Sequence, residues 1–475
     1  MKKAQLISLA IVACLLGPTS CNEAEFTHPE PTVQKQKAVT TNDGYNVTAI
    51  MLDNYLKLVH IDKDVKNIKS IKDGEQTLAY LVNLKDGWKL ISADTRKTPV
   101  QAFAKSGTLN LTEESNPAVQ LVFGIAAEIR NFKANDKTVE KNGIWKAIEG
   151  QIASKAITDK SNKAIARGIG MGMWIAQGDP EYTSETEETP HIITTKWGGG
   201  APYNQFMPYS NTALTQNYNI SCVAVASGQI VYHFRKDNNR GITMPVEAYL
   251  PNEPNKEMVV TRSSVDGWQL IGKYHNHASM FLAQIAKEVH ENYADTSAYA
   301  NEAKNVFDKY LLAYSSLDGY DYHNVLSSLQ NSYPVFVSGG VKGSYTGHSF
   351  IIDSYRSDIE NMVINYVWDP EHRITEEEKE RYPAEMFELG ADGSETKQVI
   401  VSNDENTYFA MNWGEYGGEN AIYYLAREYS APISGSDFAG DYYKPGKDVI
   451  YPPSWANKYY NITNVKLMIY NIREK

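Results

Sequence analysis

Apolar positions change period along the chain, and the changes divide it. Residues Val47 to Val59 recur at helical spacing and predict a helix. Thr77 to Asn83 and Trp88 to Ala93 read as strands around a Lys85-Asp86-Gly87 turn, which makes them a hairpin. Pro117 to Phe132 reads as an amphipathic helix. From 151 to 190 no sustained period survives. That stretch holds Lys155, Lys160, Lys163 and Arg167, then Gly168, Gly170, Gly172 and Gly178, and ends in Glu185-Thr186-Glu187-Glu188. It reads as a solvated, protease-accessible connector, with a loop decorating one continuous domain as the alternative. Periodicity returns at Ser221 to Phe234, a helix that Asn219 or Ser221 can cap and whose end carries Arg235 and Lys236. Strand-like runs follow at Pro334 to Ser338, Ser349 to Tyr355 and Tyr408 to Trp413.

One apolar run is not amphipathic. Leu6 to Leu16 follows the basic Met1-Lys2-Lys3, is too short to span a bilayer, and suits the core of a signal peptide. It leads into Leu16-Gly17-Pro18-Thr19-Ser20-Cys21, which is similar to bacterial lipoprotein signals cut before an acylated cysteine, although Pro18 stands where an aliphatic residue is usual. The expectation is a signal peptide over 1–20, lipid on Cys21, and an extended linker over 21–44. The protein would then be exported and anchored to a membrane, at the outer membrane or cell surface of a Gram-negative bacterium. Ordinary secretion with cleavage nearby stays open.

Composition narrows the function classes. The 475 residues allow two or three domains, and 42% apolar with 22% charged residues is globular. A net charge of −11 argues against a nucleic-acid partner. The cysteines are Cys14, Cys21 and Cys222. With the first discarded and the second acylated, Cys222 has no disulfide partner and is either inert or kept for its reactivity. It lies in the first turn of its helix, where the dipole and unbonded N–H groups favour a thiolate nucleophile.

Such a nucleophile needs a base, and ten histidines are present. His28 and His60 are N-terminal, His191 sits in the connector, and His233 lies about 16 Å down the helix that carries Cys222. His275, His277, His290, His323 and His372 show no marked pattern, and the His275-Asn276-His277 pair lacks an acid or cysteine at metal-ligand spacing. No metal or cofactor is expected. His348 differs, since it ends the glycine-rich Gly339 to Gly347 turn and starts a strand, which puts it at the rim of a sheet. Taken alone, a hairpin histidine without chemistry is the better reading. A third segment, Asn412-Trp413-Gly414, places an amide and an indole at a later strand end, where Asn412 could orient an imidazole and Trp413 could shield it.

In this order the chain resembles the streptopain-like cysteine peptidases, a branch of the papain-like fold. The carrying residues are Ala201-Pro202-Tyr203-Asn204, Cys222-Val223-Ala224 with Gln229-Ile230, Gly347 to Asp353, and Asn412-Trp413-Gly414 with Gly417-Gly418. The resemblance implies an α+β fold, with a helix carrying the cysteine and an antiparallel sheet carrying the histidine, after a small α+β propeptide-like domain. It implies Cys222 as nucleophile, His348 as general base and acid, and Asn412 with Trp413 as orienting and covering residues. The substrates would be proteins or peptides, and the chain's own propeptide would be an intramolecular inhibitor. The implied division is a propeptide-like domain over 45–150, a connector over 151–190 open to activation cleavage, and a peptidase domain over 191–475; the residues leave the cleavage site open, with Lys160 to Arg167 a plausible stretch.

Three departures accompany the resemblance. Gly199 stands where the family carries an oxyanion-stabilising Gln, and Gln216, six residues before Cys222, is the substitute considered. The family's short hairpin is enlarged by an insertion over about 356–405, which includes the charged Glu376 to Arg381; an inert helix is favoured there over a lid or partner surface. Glu415-Tyr416 lengthens the turn after Asn412-Trp413 and removes its second Trp. The leading function is therefore a latent cysteine endopeptidase. An impaired homologue acting as a surface binding protein is the runner-up, and transglutaminase-like acyl transfer is a further alternative.

Overall fold

The computed structural model describes residues 44–111, 117–135, 139–150, 170–178, 180–211, 213, 215–237, 244–250, 253–262, 268, 271–340, 347–381, 384–389, 393–417, 422–425, 449–450 and 465–475. The signal peptide, Cys14, Cys21 and the Lys160 to Arg167 stretch lie outside them.

The N-terminal part begins with helix α1, Ala49–Leu58, whose start is capped by Thr48 accepting from Met51 N at 3.2 Å. Met51, Leu52, Tyr55 and Leu56 are its buried face, at the spacing the sequence predicts. Strands β1 (Val65–Asp73), β2 (Gln76–Leu84), β3 (Trp88–Ser92) and β4 (Val100–Ala104) pair antiparallel in sequence order. The β2–β3 turn needs Gly87, which has φ +74° and where a Cβ would lie 2.0 Å from the Ala104 carbonyl oxygen. Helix α2, Pro117–Asn135, and a helix α3 over 143–150 complete this part.

The stretch read as connector contains more structure than its composition suggested. Strands β5 (Gly170–Ala176) and β6 (Glu181–Glu188) both pair antiparallel with the long later strand Gly347–Ile374. The period failed to reveal β6 because most of its side chains are exposed. Backbone pairing, not apolar burial, holds it.

Helix α4, Cys222–Arg235, starts where Ser221 Oγ accepts from Ala224 N at 3.3 Å, so Ser221 is the cap. Strands β7 (Met244–Leu250) and β8 (Glu253–Arg262) form a separate hairpin. Helices α5 (His275–Glu288) and α6 (Ala303–Lys309) precede β9 (Leu312–Leu317), and helix α7 (Tyr322–Gln330) precedes β10 (Val335–Gly340). Strand β11 runs from Gly347 to Ile374, and β12 from Thr396 to Asn412. These two are paired from Ile351↔Asn412 to Val367↔Thr396. The insertion is thus mainly a long extension of the two strands, with a short helix α8, Glu376–Arg381, and a 3-10 turn, Ala384–Met386, near its tip among the described residues. Strands β13 (Ile422–Leu425), β14 (Val449–Ile450) and β15 (Val465–Glu474) follow.

The main sheet has the order β14-β1-β2-β3-β4-β13-β12-β11-β10-β15-β9, so the two parts of the chain share one sheet. Its central strands are covered on both faces. Val335, Val337, Phe350 and Ile352 join the core that contains α2 residues such as Phe123, whereas Phe336 and Ile351 join the core under α4 and α5. This alternation is the two-residue strand period, and it fixes which side of β11 meets the cysteine helix. The fold is α+β, as expected.

Helix α4 packs closely against α5 at Gly228, where a Cβ would lie 2.8 Å from Leu282 Cδ2. Gly228→Val is expected to lower the unfolding free energy by about 1–3 kcal/mol in denaturant titration, the usual cost of overpacking; an unchanged midpoint would contradict this packing.

Candidate active site

Four of the residues singled out by motif lie together. Cys222 is the first residue of α4 and its side chain is half-buried. Across from it, β11 begins, and Ser349 N donates to Cys222 Sγ at 3.3 Å. A backbone N–H directed at sulfur favours negative charge there, and it sets the thiol against the residue immediately after His348. The helix start is itself tethered, since Ser221 N donates to the buried Glu291 Oε2 at 3.0 Å.

His348 is buried and pairs with Gly339 across β10–β11. Its Nε2 lies 2.8 Å from the Trp413 carbonyl oxygen. A carbonyl only accepts, so Nε2 carries the proton of the neutral ring and Nδ1 is the nitrogen able to take one. The Trp413 ring lies 6.3 Å from the imidazole at 28° and 4.7 Å from Phe350, and it is almost wholly buried. Trp413 therefore contributes both a cover and, through its backbone, an orienting acceptor.

Asn412 is placed differently from the expectation that it would orient His348 directly. Its Oδ1 accepts from Gln229 Nε2 at 3.2 Å and from Gly414 N at 3.1 Å, and its Nδ2 donates to the Thr195 carbonyl at 3.0 Å. Among the described residues no hydrogen bond joins it to His348. The amide instead ties β12 to helix α4 and to the 195–197 segment. Gln229 is the residue that motif reading underused: it is fully buried, two turns below Cys222 on the same helix face, and its Oε1 also accepts from Thr195 Oγ1 at 2.8 Å. A long polar side chain inside the largely apolar 223–231 run is the available signal.

Asp353 and His191 form a second tether. Asp353 is fully buried; its Oδ1 accepts from His191 Nδ1 at 2.9 Å and its Oδ2 from Ile193 N at 3.2 Å. Burial opposes the His191 charge, but the bond to Asp353 outweighs it and raises the imidazole pKa, while burial raises that of Asp353. His191, read from sequence as a connector residue, thus fixes the entry of the second part of the chain to β11.

Two of the departures prove to be one construction. Ile220 N donates to the Gly199 carbonyl at 2.8 Å, and a Cβ on Gly199 would lie 2.5 Å from the Ile220 oxygen. Gly198 faces the Tyr416 ring, with a Cβ 2.7 Å away, and Gly200 N donates to Tyr416 Oη at 2.9 Å. Gly198 also bridges Glu415. The lengthened turn therefore lays Tyr416 over the glycine run, and the side chain absent at 199 has no room. Gln216 is exposed on a neighbouring turn, where its carbonyl accepts from Ser210 N at 2.8 Å.

Residues 197–372 match the model of the Peptidase C10 family. That stretch is similar to the cysteine-type peptidases of the C10 family, the streptopain-like group to which the motif order points. The matched C10 segment includes Cys222 and His348 and ends before Asn412. No curated protein matches the chain. Two solved structures from Prevotella intermedia are similar to it. A prointerpain A fragment, a Cys-to-Ala mutant, is 16% identical, covers 86% of this chain and 99% of its own, with TM-score 0.38. The active wild-type interpain A cysteine protease is 17% identical, covers 60% and 94%, with TM-score 0.30.

The crowding at Gly199 predicts that Gly199→Gln does not restore a C10-like donor. It is expected to lower stability by about 1–3 kcal/mol and to leave peptide hydrolysis no faster. A variant as stable as the parent and faster in turnover would contradict the geometry.

Proposed function

We propose that the protein is a latent, extracytoplasmic cysteine endopeptidase in which Cys222 and His348 cleave peptide bonds through an acyl-enzyme. The observation that carries this reading is the Ser349 N to Cys222 Sγ hydrogen bond, which brings a helix-start thiol to the strand residue beside His348. In the reaction Cys222 gives its proton to His348 and its sulfur attacks the substrate carbonyl. His348 then protonates the leaving amine and assists the water that hydrolyses the thioester. The proton on Nε2, held by the Trp413 carbonyl, leaves Nδ1 to carry out these transfers. Trp413 excludes water from that bond. Asn412 acts at one remove, through the bridge it makes with Gln229.

In this reading Gln216 is the proposed oxyanion donor, since the glycine run cannot supply a side-chain amide. The domain over 45–150 is the proposed intramolecular inhibitor. Cys21 is the proposed lipid site, with the chain held at the outer membrane or cell surface.

The test is peptide hydrolysis by the mature chain before and after its N-terminal domain has been cut away and separated, beside a Cys222→Ala variant. The expected outcome is a rise on separation and loss of all activity in the variant, with a thiol-directed peptidyl inhibitor labelling Cys222. Hydrolysis that survives Cys222→Ala would refute the mechanism. No hydrolysis and no labelling by a folded chain would favour a surface binding protein, and equal rates before and after separation would refute latency.

A further inference from the structure

We propose that the extended β11–β12 arm is the docking surface for the chain's own N-terminal domain, residues 44–150, and that this domain stays bound to the peptidase after the connector is cut. The inference rests on the zymogen reading only in taking the connector as the place of cleavage.

Three kinds of contact support it. The first is backbone: β4 pairs with β13 at Phe103↔Tyr423, so the N-terminal sheet continues into the peptidase sheet without a gap. The second is apolar. One cluster combines Met51, Leu52, Tyr55, Ile91, Val100, Phe103 and Trp145 with Met362, Tyr408 and Ala410 of the arm. The Phe103 and Tyr408 rings meet edge-on at 5.2 Å, and the Arg356 guanidinium lies over Phe103 at 5.2 Å. Separation would expose three arm residues that are now at most 2% accessible.

The third is a chain of polar contacts that crosses between the two sides. Thr98 Oγ1 donates to Asn406 Oδ1 at 2.9 Å, and Asn406 Nδ2 donates to Glu360 Oε2 at 3.0 Å. Tyr182 of β6 donates to the other Glu360 oxygen. Asn142 Nδ2 donates to Asp404 Oδ2 at 3.0 Å, and the Tyr408 hydroxyl to the Val100 carbonyl at 3.4 Å. Removing the domain would exchange the Thr98 hydroxyl at the Asn406 oxygen for water, so these bonds give the docking its direction while the apolar contacts supply most of its strength. The arm that the sequence presents as an insertion thus has its occupant within the same chain. Cleavage and release become separate events, and a cut in the connector leaves one particle.

The experiment places a recognition sequence for a specific protease between residues 150 and 170 of the full mature chain. After complete cutting, verified by mass, the sample passes over a sizing column in native buffer and in rising urea. The two pieces are expected to co-elute at the volume of the uncut chain and to separate only in urea. Phe103→Ala is expected to lower the urea concentration of separation while the uncut variant keeps its circular-dichroism spectrum. Separation of the wild-type pieces in native buffer would overturn the proposal, as would an unchanged urea midpoint for Phe103→Ala. Neither readout needs peptidase activity, so a failure of the proposed function would be seen separately.

Discussion

The buried amide pair Gln229–Asn412 is the constraint on which the site depends. It joins the helix that carries Cys222 to the strand that ends in Trp413, and it takes in Thr195 from the segment entering the glycine run. Each amide would be costly to bury alone, and together they are mutually satisfied. Because hydrogen bonds are directional where apolar packing is not, this pair sets the position of helix against sheet more narrowly than the core around it. Trp413 follows Asn412 directly, so the carbonyl that fixes the His348 tautomer is placed by the same bridge.

The surrounding architecture supports that constraint from both sides. Alternation along β10 and β11 sends Phe336 and Ile351 toward α4, and Phe350 and Ile352 toward the core shared with the N-terminal domain. The half of the site bearing His348 is therefore backed by N-terminal residues, and the half bearing Cys222 by α5 and α6. The Gly198–Gly200 run closes the rim, with Tyr416 laid over it. An unusual turn and a missing amide, separate oddities in the sequence, are one packing solution.

Much of this was legible in the residues. Helical spacing gave α1, α2 and α4 nearly to their ends, and the cap at Ser221 with the dipole argument placed Cys222 at a helix start. Turn chemistry gave the β2–β3 hairpin, and Gly347-His348 gave the strand start. What escaped notice was set by contacts distant in sequence. Strand β6 is polar and is held by backbone pairing and polar side-chain contacts, so no apolar period marks it. The β11–β12 arm resembles a charged insertion because its burial comes from residues far off in sequence, such as Met51 and Trp145 clustered with Met362. Asn412 was read by its neighbourhood as a partner of His348, but Gln229, a side chain 183 residues earlier, claims its oxygen.

The central claim is that this bridge, and not direct contact between Asn412 and His348, holds the thiol and imidazole in working register. The direct measurement is peptide hydrolysis by Gln229→Leu, a near-isosteric change that keeps helix propensity and breaks the bridge. The expected result is a kcat lower by at least roughly tenfold, the size expected when a positioning contact is lost, with KM little changed, in a chain that remains folded. A folded Gln229→Leu protein with unchanged kcat would contradict it.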